Sequence, residues 1–578
     1  FFINHSSLIR HCNRRLNFLL FQCSACSEVA YCSKECQKTV WKSHKPRCMQ
    51  IRKTVQVFAE RYRSQFSQDI KRTENVSYYF GNTIAIDVLK LGLNEAEPSS
   101  DDVALQLSRD YNILFAGVGD LRNLLLTTAS LPSNFTGNIR FTLNDIDPFV
   151  LARDALFLYI IITQASKESI ELTITNIWYS LQLPDKDFQF LISTLNELIM
   201  HTVETLNDAT CGHLVVNKED FDIMKEVWVK WRDLECETGN WNAIDLAGQR
   251  TNLFRSTSVS SQAMSLYCQM IPERYMESAT QYFVDGLFLR SNLEKGKLRF
   301  DNPTLTGRTS SMKEPISVDQ LLKIKPMAYN FEYCIPSAHL PFRGWDYNQA
   351  SKMFEEDSLV DLFHVYIASV IKSALSYFQK SKIFSNCCLK NCIDICNEPD
   401  VEPKYDRIMT SNVADFTGIK QLLSSMRPLL STTNKHAVLV TETMIWHAFV
   451  QEAYILHPLN RLKIQPLSEV MVKDTGRREL QNIDHTKFDY FDNTSSFIRY
   501  LQLVYLATIN KERKNDYIPT LSTIVRNMEG FTLNDFTSGL NKLVPFRYRV
   551  NARACNMENG YRRNLEWRLC AEYGSGSS

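Results

Sequence analysis

Apolar and polar residues alternate with strand and helix periods across residues 76–165. The apolar runs Tyr111 to Ala116 and Ile139 to Leu143 each predict a short strand. Helical spacing over Leu121 to Ala129 and over Phe149 to Thr163 predicts that a helix follows each strand. Strand, helix, strand and helix joined by short links favour a right-handed parallel crossover, so we expect an α/β fold here.

Further apolar runs extend this pattern along the chain. Ile84 to Leu93 predicts a helix, while Tyr405 to Met409 and Ala437 to Val440 predict strands around the helical run Ile419 to Leu430. Residues 166–400 show helical patches but no motif that carries chemistry. We expect them to be a mostly helical insertion or extension of the α/β domain.

The pattern divides the chain into predicted segments. In order, they are a Cys/His-rich module at 12–48, a helical linker at 49–72, the first part of an α/β domain at 73–165, the helical insertion at 166–400, an α/β and helical C-terminal part at 401–570, and a Gly/Ser-rich disordered tail at 571–578. The chain begins with Phe1 rather than Met, so we expect a processed or missing N-terminus.

Composition is that of a globular protein, with 44% hydrophobic and 22% charged residues in 578. A net charge of +1 gives no strong electrostatic case for nucleic acid or an anionic membrane as the main partner. The most apolar stretch, Phe149 to Thr163, contains Arg153 and Asp154, so we predict no membrane span. The 16 cysteines and the lack of a secretory signal favour reduced thiols and a cytoplasmic location, with the nucleus as the alternative.

Side chains that commonly bind zinc recur within a short stretch: Cys23, Cys26, Cys32, Cys36, His44 and Cys48. A Cys-x2-Cys pair supplies two tetrahedral ligands, and His44 with Cys48 supplies two more because residues four apart share a helix face. The stretch has too few apolar residues for a core of its own, so the metal must stabilise it. Structural zinc contributes roughly 10–16 kcal/mol in such peptides.

This stretch closely resembles the MYND-type zinc finger. The resemblance lies in Phe21-Gln22-Cys23-Ser24-Ala25-Cys26, Tyr31-Cys32-Ser33, Cys36-Gln37, Trp41, His44-Lys45 and Cys48. It implies two zinc ions, the first held by Cys23, Cys26, His44 and Cys48. The second would be held by Cys32 and Cys36 with an earlier pair, of which Cys12 is the second member.

The resemblance leaves one ligand of that second zinc open and adds a partner. Ile9 stands where the first member of the early pair belongs, so either His11 or His5 substitutes or the N-terminus is altered. MYND fingers bind proline-containing peptides of other proteins, which implies such a partner here. Gln37 and Trp41 match positions that line the peptide groove, although Trp41 fits packing against its own zinc helix equally well.

A Gly-x-Gly turn, Gly117 and Gly119, follows the first predicted strand of the α/β region. Asp145 follows the next strand, where a carboxylate can accept hydrogen bonds from ribose hydroxyls. Together they resemble the cofactor edge of a Rossmann-like, methyltransferase-like fold that binds S-adenosylmethionine (AdoMet). Phe115 and Leu121 stand where such enzymes usually have an acidic residue and a third glycine, so a tight turn without a ligand is the alternative.

The wider segment resembles an uncharacterised, methyltransferase-like domain that often follows MYND fingers. It is also similar to the N-terminal part of an axonemal dynein assembly factor. The matching residues are Tyr79-Phe80-Gly81-Asn82-Thr83, Gly117 to Asn123, Asn144 to Pro148 with Arg153, and, more loosely, Tyr405 to Asn412 with Asp415. The resemblance implies no established activity.

Two functions remain open from the sequence. The first is a zinc-binding adaptor, whose finger docks partner peptides and whose α/β body is a scaffold or assembly factor. The second is a Rossmann-type AdoMet-dependent methyltransferase. A SET-type enzyme would carry an Asn-His-Ser-Cys-like motif after the finger, whereas here Asn4-His5-Ser6 precedes it. The cysteines between Cys387 and Cys396 are either a second metal site on a helix face or small apolar side chains of a packed helix.

Overall fold

The structure is a computed structural model, and it describes the following residues. They are 21–23, 26, 29–31, 33–66, 77–81, 83–91, 100–256, 271–290, 298–308, 325–326, 330–335, 339–397, 404–454, 457–460, 466–475, 478, 493–508, 524, 528–533, 543 and 562–570. The predicted ligands Cys12 and Cys32 lie outside the described residues, and so does the predicted tail at 571–578.

The strands in the described part of the chain build one large sheet and three small pairs. They are β1 (Phe21–Gln22), β2 (Ala30–Tyr31), β3 (Tyr111–Ala116), β4 (Ile139–Asp145), β5 (Gln182–Pro184), β6 (Leu214–Val216), β7 (Leu298–Asp301), β8 (Thr306–Arg308), β9 (Phe331–Tyr333), β10 (Ile383–Leu389), β11 (Arg407–Met409), β12 (Val438–Thr443), β13 (Phe531–Leu533) and β14 (Arg563–Leu569). The small pairs are β1 with β2, β5 with β7, and β8 with β9.

The helices cover both faces of the large sheet. They are α1 (Lys34–Gln65), α2 (Ser100–Ser108), α3 (Arg122–Ala129), α4 (Pro148–Thr163), α5 (Ile170–Tyr179), α6 (Asp185–Met200), α7 (Val203–Ala209), α8 (Lys218–Asp233), α9 (Leu246–Ser256), α10 (Met276–Asp285), α11 (Tyr347–Met353), α12 (Leu359–Gln379), α13 (Ala414–Thr417), α14 (Ile419–Met426), α15 (Leu467–Thr475) and α16 (Thr494–Thr508). The predicted succession of β3, α3, β4 and α4 is therefore confirmed.

The large sheet has the strand order β13-β14-β12-β11-β3-β4-β10-β6. Its neighbours from β12 to β6 are parallel, and β14 is antiparallel to both β12 and β13. The chain moves from β3 to β4 and β10 on one side and then returns to β11 on the other side of β3. In α/β sheets generally, the carboxyl ends of the two strands at such a reversal, here β3 and β11, are where ligands bind.

Successive side chains of β3 point into two different hydrophobic cores. Ile113 and Phe115 face a core that includes α3, α4 and α12. Leu114 and Ala116 face a second core that includes the buried residues of α1, α14 and α16. This alternation follows from the two-residue period of a strand. The fold is thus a mixed α/β body with a mostly parallel central sheet.

Two strands of this sheet, β6 and β10, lie inside the segment 166–400 that the sequence predicts to be mostly helical. β10 occupies Ile383–Leu389 and pairs in parallel with β4 over its whole length, for example Ser385 with Phe141. Its burial alternates along the strand, with Ile383, Ser385, Cys387 and Leu389 buried. The sequence analysis missed this alternation because a long helical pattern, that of α12, comes directly before it.

The predicted helix over Ile84 to Leu93 is absent from its described part, residues 84–91. The backbone N–H groups there bond to side chains and to distant backbone instead of to carbonyls four residues back. Ile86 donates to Asn123 Oδ1 at 2.9 Å, and Val88 donates to Thr127 Oγ1 at 3.0 Å. These acceptors lie on α3, so a long-range contact replaces the local helix.

Helix α12, Leu359–Gln379, is long and apolar enough to cross a membrane by length and composition alone. In the structure 72% of its most apolar window is buried. It packs against α3 and α5 within the core. Its apolar composition therefore has an explanation in the packing of the body.

Candidate metal centre and glycine turn

The hairpin β1–β2 and the first turns of α1 bring four metal-binding side chains together. The Cys23 N–H donates to the Val29 carbonyl at 2.8 Å, which closes the hairpin next to Cys23. The Ser33 hydroxyl accepts a hydrogen bond from the Cys36 N–H at 3.1 Å and so caps the start of α1. His44 then lies one helical turn before Cys48 on the same helix face.

The four ligand atoms of Cys23, Cys26, His44 and Cys48 lie within 4.8 Å of one another. The distance between the sulfur atoms of Cys23 and Cys48 is 4.0 Å, and Cys26 Sγ lies 3.3 Å from His44 Nε2. Zn–S bonds of about 2.3 Å imply sulfur–sulfur edges of about 3.8 Å in a tetrahedron. The donor set and its spacing therefore fit a zinc ion, as the sequence predicts.

The buried environment of these side chains also favours a bound cation. All four are buried, with His44 the most exposed at 8%. Burial and the nearby Cys23 raise the pKa of the Cys48 thiol, so a divalent ion is needed to hold several thiolates here. Three sulfur atoms and one nitrogen complete a tetrahedron, which is the closed coordination of a structural zinc site.

Two aromatic rings enclose this centre. The Tyr31 ring lies 6.2 Å from the His44 ring, and the Trp41 ring lies 5.8 Å from it, both edge-on. Tyr31 is buried and burial raises the pKa of its hydroxyl. The sequence analysis gave Tyr31 no role, although its place directly before Cys32 was a signal that it would contact the metal site.

Only part of the predicted second zinc site can be placed. Cys12 and Cys32 lie outside the described residues. Cys36 is half-buried in the first turn of α1, and it contributes to the raised pKa of Tyr31. Its position next to the first centre is compatible with a second ion, which stays a prediction.

The glycine turn lies at the carboxyl end of β3, where the order of the strands reverses. Gly117 and Gly119 have φ angles of 75° and 66°, a region that glycine enters without strain. The N–H groups of Gly117 and Val118 both donate to the Asn144 carbonyl at 2.9 Å. Asp145 Oδ2 accepts from the Gly119 N–H at 3.2 Å, so the structure brings the three predicted cofactor residues together.

The segment that precedes the α/β region covers this turn. A Cβ atom on Gly119 would lie 3.6 Å from the Tyr78 carbonyl oxygen. Asp120 Oδ2 accepts from the Gly81 N–H at 2.7 Å, and Ser77 donates to Asp147 Oδ2 at 2.9 Å. Part of the polar surface around the glycines is therefore already used to hold the chain itself.

A third carboxyl group, that of Asp154, lies near Asp120 and Asp145. Asp154 on α4 is buried, and burial together with Asp120 and Asp145 raises its pKa well above the ordinary value. Asp154 Oδ2 has no hydrogen-bond partner. This shift favours the protonated form of Asp154. Asp120 is buried and paired with Arg122, so the half-buried Asp145 is the carboxylate that a ligand would meet.

Comparison with known proteins assigns the metal-binding stretch. Residues 10–48 match the family described as MYND finger. This part of the chain is a MYND finger. Residues 79–183, which include the glycine turn, match a family described as Domain of unknown function (DUF4470).

The chain is also similar to one curated protein over a short stretch. It is 48% identical over 44 residues to SET domain-containing protein 14 of Caenorhabditis elegans. The match covers 7% of this chain and 10% of that protein, so the chain spans only about a tenth of its relative. No solved structure matches the chain.

The two residues predicted to contact a partner lie on the finger helix. Gln37 and Trp41 are one turn apart on α1, and both are half-buried. Trp41 packs partly against the second hydrophobic core as well as against His44. Its remaining exposed surface lies next to the zinc centre of the MYND finger.

The second cysteine cluster does not lie on one helix face. Cys387 and Cys388 are consecutive residues of β10 and point to opposite faces of the sheet, because successive strand residues alternate. Cys392 and Cys396 lie in a short 3-10 helix beyond the strand. Among the described residues, metal-binding side chains gather at the MYND finger, and these cysteines are not part of such a group.

Proposed function

We propose that this chain is a zinc-dependent adaptor whose MYND finger docks proline-containing peptides of partner proteins. MYND fingers are generally protein-interaction modules, and the closed four-ligand centre is the observation that carries the proposal. A site with four protein ligands leaves no position for substrate, so its zinc is structural. What the ion supports is the surface of Gln37 and Trp41 beside it.

The body would serve as a scaffold or assembly factor for the docked partner. Its support is the rigid connection between finger and body, since α1 begins in the zinc centre and packs along α16. The relationship to an axonemal dynein assembly factor that the sequence predicts would fit this role and stays a prediction. Free thiols at described cysteines such as the exposed Cys211 suit a reducing compartment, and we propose the cytoplasm or the nucleus.

Trp41→Ala should weaken peptide binding by about tenfold or more, because a large half-buried aromatic side chain is a typical interaction hot spot. The measurement is binding of the zinc-loaded full chain to an array of proline-containing decapeptides, followed by calorimetry on the best peptide. Val57→Ala, on an exposed position of the same helix, is the matched control and should bind normally.

Zinc content of each variant separates loss of contact from loss of fold. Trp41→Ala is informative when it keeps its zinc, and Gln37→Ala provides a second, milder change in the same surface. The proposal fails if no decapeptide binds at millimolar concentration, or if zinc-loaded Trp41→Ala binds as tightly as the unchanged chain.

A second candidate function is AdoMet-dependent methyl transfer by a Rossmann-like body. The observation that favours it is the position of Gly117, Gly119 and Asp145 at the carboxyl edge, where the strand order reverses between β3 and β11. The Asp145 carboxylate suits the positive sulfonium of AdoMet, whereas the Asp120 carboxylate is already paired with Arg122. Asp145 would accept from the ribose hydroxyls.

Calorimetric titration of the full chain with AdoMet tests this candidate. Micromolar binding that is lost in Asp145→Ala and kept in Asp222→Ala, an exposed control on α8, would establish the cofactor site. If AdoMet does not bind at millimolar concentration, the methyltransferase candidate is rejected and the adaptor function remains. We expect this absence of binding if the chain is only an adaptor.

A further inference from the structure

Helix α1 concentrates positive charge in a chain that is nearly neutral. Its sequence carries nine lysine and arginine residues and two glutamates, whereas the whole chain has a net charge of +1. Its buried stripe, made of His44, Cys48, Ile51, Val55, Ala59 and Tyr62, faces the body. The basic residues are therefore displayed mainly on the other sides of the helix.

Four of these lysines form one continuous exposed stripe. Lys38, Lys42, Lys45 and Lys53 follow one another at intervals of four, three and eight residues, which places them on the same side of an α-helix. Met49, which is 58% exposed, fills the gap between the last two. We call these five residues the lysine stripe.

The lysine stripe is free to meet a partner. In the described part of the chain, no acidic side chain lies within ion-pair distance of its lysines. Arg47, by contrast, lies on the opposite flank of α1 and pairs with Glu452 at 3.1 Å. Arg63, near the other end of the helix, donates to the carbonyls of Leu506 and Ala507 on α16. The helix therefore contacts the body through Arg47 and Arg63, whereas the stripe lysines form no ion pair in the described part of the chain.

The stripe adjoins the predicted peptide surface. Trp41 lies three residues from Lys38 and four from Lys45, so its ring borders the stripe along the helix. A peptide that contacts Gln37 and Trp41 would extend past these lysines. The charge of the peptide's flanking residues would therefore change its binding affinity directly.

We propose that the MYND finger selects proline-containing peptides with acidic flanking residues, which lie along the lysine stripe. The inference rests on the proposed adaptor function and names the partner class of the same surface. Protein is favoured over nucleic acid because the basic face is one helix wide, borders an aromatic contact and belongs to a chain of net charge +1.

The test uses the zinc-loaded full chain and the best decapeptide from the array. The peptide is synthesised with three flanking glutamates and, separately, with three flanking glutamines, and a 20-base-pair DNA duplex is the third probe. At low salt we expect the glutamate peptide to bind about tenfold tighter or more, an advantage that falls in high salt because counter-ions screen exposed charges.

Charge-reversal variants show whether the stripe lysines cause the preference for the glutamate peptide. The double variant K38E/K42E should remove the advantage of the glutamate peptide and leave the glutamine peptide almost unaffected. K186E/K352E, which reverses two exposed lysines on α6 and α11, is the control and should keep the advantage.

Equal binding of the two peptides overturns this inference while the adaptor function stands. Binding of neither peptide overturns the adaptor function and this inference with it. Tighter binding of the duplex than of the glutamate peptide also overturns it, and makes the stripe a nucleic-acid surface.

Discussion

Cys26→Ser loses the zinc ion of the first centre and unfolds the hairpin and the first turns of α1. Cys26 supplies one of four ligands, and serine is a poor ligand for zinc at neutral pH because its hydroxyl stays protonated. The stretch around the centre has little core beyond the ligands themselves, so roughly 10–16 kcal/mol of metal binding has no replacement. Zinc content by mass spectrometry should fall by one ion per chain.

We expect the unfolding in Cys26→Ser to end where α1 packs against the body. Beyond Cys48 the helix is held by Ile51, Val55 and Ala59, all buried in the second hydrophobic core. Limited proteolysis should cut the variant before residue 48 and leave the body intact. Cys211→Ser, at an exposed thiol outside the cluster, is the control. Unchanged zinc content in Cys26→Ser would show that the ligand assignment is wrong.

Tyr62→Ala should release the far end of the finger helix from the body. The Tyr62 ring is 4% exposed and lies 5.2 Å from the Phe449 ring and 6.2 Å from the Tyr500 ring. Its hydroxyl accepts a hydrogen bond from the Ile419 N–H at 3.1 Å, and burial raises its pKa to about 12. Removing such a ring costs about 3–5 kcal/mol of unfolding free energy.

Urea unfolding followed by circular dichroism measures this loss. Arg61→Ala, the exposed neighbour, should change the unfolding free energy by about 0.5 kcal/mol or less. Tyr62→Phe keeps the ring and should cost about 1–3 kcal/mol for the unpaired Ile419 N–H. A loss in Tyr62→Ala no greater than in Arg61→Ala would contradict the docking of α1 through this residue.

Zinc content distinguishes the two predictions. Tyr62 lies about 21 Å along the helix from Cys48, at 1.5 Å per residue. Tyr62→Ala should therefore keep its zinc, whereas Cys26→Ser should not. A chain that loses zinc in both variants would mean that finger and body fold as one cooperative unit.

Local patterns were good predictors where the interactions are local. Cys23, Cys26, His44 and Cys48 were predicted from spacing, because a hairpin and one helical turn bring them together within 26 residues. The strands β3 and β4 and the helices α3 and α4 were predicted from apolar periods alone. Gly117, Gly119 and Asp145 also meet as the sequence predicts, since parallel neighbours end at the same edge of a sheet.

Sequence patterns gave wrong secondary structure where residues distant in sequence form hydrogen bonds with the backbone. Ile84 to Leu91 has the composition of a helix, but Asn123 and Thr127 accept its N–H groups and hold it outside α3. β10 follows a helical run, and only its pairing with β4 reveals it as a strand. The segment 49–72 was predicted as a helical linker; its described part up to Gln65 is indeed helical, but it continues α1 and packs along the body.

The chain by itself determined a metal-binding finger and an α/β body, because ligand spacing and apolar periodicity act over a few residues. Only the tertiary structure decided that the finger helix is fastened to that body, which side of it remains exposed, and what covers the glycine turn. Those outcomes depend on contacts between residues hundreds of positions apart, such as Tyr62 with Ile419, and no local pattern encodes such contacts.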